Sequence, residues 1–289
     1  MLNSESRKKI LIAQKNELTE YHVYQKLSEI VKKEGQSGIL QRISNEEFKH
    51  YEIFKKISGE DVQPDQWKIF YYVLMARICG LNFSLRLMER GELSAQDFYS
   101  PLKDETPEVK MIIGDEKAHE SALLDLIDED RFKYVSSMIL GLNDALVELT
   151  ATLAGFTLAL NNTKLIGIVG LITGIAAAMS MAASEYLSTK GEETDKDPIK
   201  ACWYTGVSYL GTVIVLVLPY FLLKNVFVCL AIALSVALLE IGSFTFYISV
   251  AQKLNFKKRF TEMAVLSLSI AAITFVIGVV IRNVFNVNI

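Results

Sequence analysis

Five long apolar stretches fill the second half of this 289-residue chain, and the first two carry carboxylates. The pattern predicts membrane-crossing helices over Ser136–Leu160, Leu165–Leu187, Ala201–Leu223, Val226–Ala251 and Met263–Ile281. Each suits a hydrocarbon core ~30 Å thick. An ionised carboxylate at the centre of such a helix costs roughly 2.5 to 3.5 kcal/mol, so it usually faces a partner, a cavity or an ion path. Asp144 and Glu148 lie four apart on the first helix, and Met181 and Glu185 four apart on the second, so each pair shares a face. Three carboxylates and a thioether on neighbouring helices predict a cation path. The plainer reading is that one or two of them reach water at the interface. Glu240 falls inside the fourth stretch.

Charge divides the chain at about the same place. Residues 1–135 hold 20 of the 30 Lys and Arg and 24 of the 33 Asp and Glu. The net charges of the two parts, −4 and +1, give no footprint for nucleic acid. Cys79, Cys202 and Cys229 are isolated, without CxxC spacing, and predict neither a disulfide framework nor a zinc knuckle. The first twenty residues lack an apolar core followed by a cleavage site, so no signal peptide is expected. Basic residues cluster before the first span, between the second and third, and between the fourth and fifth, which predicts a cytoplasmic N-terminus and an outward C-terminus in the plasma membrane. Gly170 and Gly174 form a small-xxx-small pair that favours close helix contact.

The charged part reads as helices over Ser4–Glu34, Ser37–Ile57 and Gln66–Arg90, with a short piece at Ser94–Tyr99 and a last helix from Thr106-Pro107 to about Asp128. Gly35-Gln36-Ser37-Gly38 is the expected first break, and Asp65 the N-cap of the third helix. The whole chain is therefore expected to be all-α: a cytoplasmic four-helix bundle (1–135) followed by a five-span membrane domain (136–289).

Two of the three histidines fall in Glu-x-x-His units, Glu47–His50 and Glu116–His119. Residues three apart on a helix point the same way, so each unit offers a carboxylate and an imidazole to one spot. A four-helix di-metal carboxylate site uses two such units plus one Glu from each remaining helix. Glu17 and Glu89 complete that set, with Glu20 as the rival on helix one. His22 lies about 140° around the helix from Glu17 and is read as non-ligating.

QKNELTEYHVYQKLSE, ISNEEFKHYEIF, GLNFSLRLMERGE and DEKAHE resemble the erythrin branch of the rubrerythrin and ferritin-like proteins. SSMILGLNDALVELTATLAG and AAAMSMAASEYLSTK resemble the first two spans of the vacuolar iron transporter family. Together the two resemblances cover almost the whole chain, as in membrane-bound ferritin-like fusions. The transporter resemblance implies a five-span homodimer with the metal path along span one, and carries metal residues over to Asp144 and Met181. This chain departs from it in two ways. Thr173 stands where eukaryotic members have a Glu, a charge that Glu148 and Glu185 are expected to replace. The cytoplasmic insert between spans two and three is reduced to Ser188–Lys200, although Glu192, Glu193 and Asp195 remain.

Carboxylates with one thioether suit Fe²⁺ or Mn²⁺ better than Mg²⁺ or Ca²⁺. The expectation is thus an exporter of Fe²⁺ from the cytosol by proton antiport. Its iron-binding bundle would collect, oxidise or sense the metal. A membrane-anchored di-iron oxidase or peroxidase is the alternative.

Overall fold

In the computed structural model, residues 4–88, 107–126, 133–192, 194–252 and 254–285 are described. Glu89, the Ser94–Tyr99 piece, the Thr106 cap, Glu193 and the basic flank at Arg131 lie outside them. The chain forms two compact units, Met1–Asp128 and Glu129–Ile289, a division a few residues before the expected one. Every regular element among the described residues is helical.

In the first unit α1 (Ser4–Ile30) packs against α2 (Glu34–Ser58) and α3 (Gln66–Cys79), and α2 against α4 (Pro107–Leu126). Ile10 and Ala13 of α1, Phe54 of α2, and Val109 and Ile112 of α4 form one buried core, and this brings three helices around a common axis. The first break falls earlier than expected, at Val31–Lys33, and Gly35 and Gly38 lie inside α2. Both glycines face open space, so nothing forces a turn there. The turn is held from outside the glycines, by the Ser37 hydroxyl on the Ser28 carbonyl and by Ser28 on Gln41. Asp65 caps α3 as expected, accepting from the Lys68 amide. That helix stops at Gly80, whose φ of 92° suits glycine, and a second helical run covers 81–88.

Among the described residues the second unit contains five helices long and apolar enough to cross a membrane, the architecture of a multi-pass membrane protein. They are α5 (Val135–Leu160), α6 (Thr163–Gly191), α7 (Pro198–Leu222), α8 (Val226–Ala251) and α9 (Phe256–Phe285). Their starts follow local chemistry. Asn162, Asp197 and Asn225 accept from the first-turn amides of α6, α7 and α8, and Pro198 occupies the first turn of α7. Helix α5 is central and packs against all four others.

Glycine sets its closest crossings. A Cβ at Gly141 would stand 2.4 Å from the Thr205 carbonyl oxygen of α7. One at Gly278 would stand 2.4 Å from the Gly155 carbonyl oxygen of α5. The small pair Gly170 and Gly174 serves contact within the chain, against Leu153 of α5 and Val213 of α7.

Candidate metal centre and membrane carboxylates

Four side chains from three helices converge in the first unit: Glu17 of α1, Glu47 and His50 of α2, and Glu116 of α4. One potential ligand atom of each lies within 4.8 Å of all the others, and all four residues are buried. His50 Nδ1 stands 3.4 Å from Glu47 Oε2, 3.4 Å from Glu116 Oε1 and 3.7 Å from Glu17 Oε2. Glu47 Oε2, His50 Nδ1 and Glu116 Oε1 are each buried without a hydrogen-bond partner. Buried polar atoms are normally satisfied, because leaving one unmade costs ~1–3 kcal/mol. Three that point at one another form a donor set suited to a cation.

His119 adjoins the cluster, with Nδ1 3.1 Å from Glu47 Oε1 and its ring stacked on His50 at 5.7 Å. Glu20 is not among the converging four, and His22 packs at a tilt against Tyr21 instead.

Two residues that sequence reasoning missed complete the geometry. Asp115 of α4 accepts from His50 Nε2 at 3.2 Å, and Glu46 of α2 accepts from His119 Nε2 at 2.7 Å. Each imidazole is thereby held by a carboxylate from the opposite helix, which fixes its tautomer and aims Nδ1 inward. The signal was an acidic residue immediately before each Glu-x-x-His unit. A cleft of about 330 Å³, lined by Glu46, Asp115, Arg42 and Lys49, opens beside both histidines.

Burial and mutual repulsion favour protonation within this cluster. Burial pushes Glu17 well above the usual carboxylate range, and the Glu116 and Glu47 charges add to this. Burial and the Glu47 charge raise Glu116 as well. Burial would raise Glu47 too, but the adjacent His119 and His50 imidazoles outweigh it and hold that group at about 2. Burial opposes charge on both imidazoles and loses. Glu116, Glu17 and Glu47 raise His50 far above its ordinary value, and Glu47 leads the rise of His119 to about 9.

In the second unit the carboxylates are strung out along the helices. The Ser137 hydroxyl of α5 donates to Glu185 of α6 at 2.6 Å, both being buried. That contact sets the register of two antiparallel helices. Met181 is then level with Gly141, and Asp144 and Glu148 lie progressively deeper, in steps of about one turn, ~5–6 Å. Met181 packs against the apolar core, Asp144 is partly buried, and Glu148 is exposed on the single chain. Tyr209 of α7, itself buried, donates to Glu148 at 2.7 Å and is a second residue the sequence did not single out.

Residues 135–197 match the model of the VIT family. The matched segment begins with α5 and ends at the Asp197 cap of α7, so it holds Asp144, Glu148, Met181 and Glu185. No curated protein and no solved structure matches the chain.

Proposed function

We propose that this protein moves Fe²⁺, or Mn²⁺, across the membrane through its second unit, carrying it out of the cytosol in exchange for protons. The observation that carries the reading is the coincidence of the VIT-family match with the whole acidic ladder on α5 and α6. Glu185 receives metal at the inner end of the ladder. Met181 supplies a soft donor that Mg²⁺ and Ca²⁺ do not need. Asp144 and Glu148 hold the ion at mid-depth. Lipid cannot solvate a carboxylate as exposed as Glu148, and a second copy of the chain facing α5 would cover it. The working unit is accordingly a homodimer.

The first unit is a metal-handling module of the ferritin-like kind, facing the cytosol. Glu17, Glu47, His50 and Glu116 would hold the first iron. His119 and Glu89 complete a di-iron set. Iron bound there would supply one-electron chemistry, so the module can oxidise as well as collect or sense. The protein's own part is to exclude water, orient both imidazoles through Asp115 and Glu46, and take up the displaced protons. A membrane-anchored oxidase is the weaker reading, because an anchor has no use for the buried Glu185 and its fitted Ser137 partner.

The test is Fe²⁺ flux in liposomes containing the full chain. Wild type should carry Fe²⁺, and Asp144→Ala, still folded, should not. Equal flux in the two would refute the path.

A further inference from the structure

Glu240 has no place in the acidic ladder, yet it sits mid-way along α8 with one oxygen, Oε2, buried and lacking any hydrogen-bond partner. The Thr212 hydroxyl of α7 is the polar group beside its side chain. Keeping a carboxylate at this depth costs roughly 2.5 to 3.5 kcal/mol, and a purely structural residue would return nothing for that.

Helix α8 packs against α5, α7 and α9. The ionisable groups these bring to the level of Glu240 are Asp144 and Glu148 from α5, Tyr209 from α7 and Glu262 from α9. Gly242 against Phe260 and Phe246 against Phe256 set the register of α8 and α9, so the level of α9 opposite Glu240 carries Glu262, an exposed carboxylate, and Met263. Among the described residues none forms an ion pair with Glu240. It is a carboxylate without a cation, and such a group exchanges protons with its surroundings.

Its position links it to the metal path without joining it. Contacts between α5 and α7, at Ser137–Thr205, Glu148–Tyr209 and Thr157–Tyr220, put Thr212 level with the turn that holds Asp144 and Glu148. Tyr209 and Thr212 are three residues apart on one face of α7, ~4.5 Å along its axis. One touches Glu148 and the other Glu240. The two carboxylates are thereby joined through adjacent turns of one helix, in surroundings that screen charge far less than water does.

Resting on the exchange reading above, we propose that Glu240 is the proton-carrying carboxylate of the exchange, distinct from the residues that hold metal. A divalent ion arriving at Asp144 and Glu148 favours the anionic form of Glu240, which releases its proton. Departure of the ion favours proton uptake. Each event moves one proton on or off Glu240 and forms no covalent bond.

The full chain in liposomes with the membrane potential clamped tests this, using Fe²⁺ and a pH dye as probes. One exchanged proton shifts the balanced metal ratio about tenfold per pH unit of gradient. Glu240→Gln, which keeps the shape, should carry Fe²⁺ down its own gradient as wild type does but lose about that tenfold response and the Fe²⁺-driven pH change. Glu240→Asp should keep both. Full coupling in Glu240→Gln would overturn the proposal, as would loss of downhill flux in both variants. A wild-type protein that carries Fe²⁺ but moves no protons would sink the exchange reading itself. A wild type that carries no Fe²⁺ would sink the transport reading beneath it, and either result would remove the proposal.

Discussion

The two units handle carboxylates in opposite ways. In the first, three carboxylates and an imidazole from three helices meet within 4.8 Å, and protons fill the gaps between them. In the second, Glu185 stands about two helical turns from Asp144, and Asp144 about one from Glu148, and Glu185 and Glu148 each lean on one hydroxyl, Ser137 or Tyr209. A closed donor set binds a cation deeply and releases it slowly. A ladder of shallow sites lets an ion pass, since no rung holds all the ligands at once. On the proposed reading, one chain pairs a place to keep metal with a way to move it.

The largest expected effect attacks the closed set. Glu47 is the anion that both imidazoles share, so Glu47→Gln removes a buried counter-charge from two cations at once. Breaking a buried ion pair in this way costs ~3–5 kcal/mol. Chemical denaturation of the metal-free full chain should show a loss of that size in the first unit's transition. An unchanged transition would mean that the cluster is not charged as described.

Acidity should separate the units next. With His119 raised to about 9, its contribution to metal-free stability is fully present below the unfolded value near 6.5. It is lost as pH rises through 9, so melting of the metal-free protein should fall over that interval. Metal binding runs the other way. A cation must displace protons from Glu17, Glu116 and the imidazoles, so affinity should weaken as pH drops, by up to about tenfold per unit for each proton released. Isothermal titration at several pH values checks the sign, and affinity indifferent to pH would contradict it.

The smallest effect belongs to the ladder. Tyr209→Phe removes one hydrogen bond to Glu148, worth ~0.5–1.5 kcal/mol, and should change Fe²⁺ flux a few-fold without abolishing it. Complete loss would make Tyr209 a gate instead of a support.

Much of this was legible in the sequence because it is local. The α8 boundaries were read as they stand, and Asp197-Pro198 marks its helix start through side chain and ring alone. The i, i+3 spacing of Glu47 and His50 put both on one face of α2. What the sequence hid depends on neighbours. Glu46 lies about 100° around the helix from Glu47, so its engagement with His119 appears only once α4 is in place. Tyr209 resembled any aromatic in an apolar span until α5 brought Glu148 to it. Gly35 and Gly38 looked like a break, yet their conformational freedom goes unused when nothing crowds the helix.

The central claim is that the two units divide storage from movement, and one paired measurement on full-length variants tests it. Iron bound at equilibrium and Fe²⁺ flux in liposomes would be recorded for Glu47→Ala with Glu116→Ala, and separately for Asp144→Ala. The account predicts that the first variant loses tightly bound iron but still carries Fe²⁺, while the second keeps its bound iron and carries none. If both variants lose both properties, or if Asp144→Ala carries Fe²⁺ as wild type does, the division is wrong.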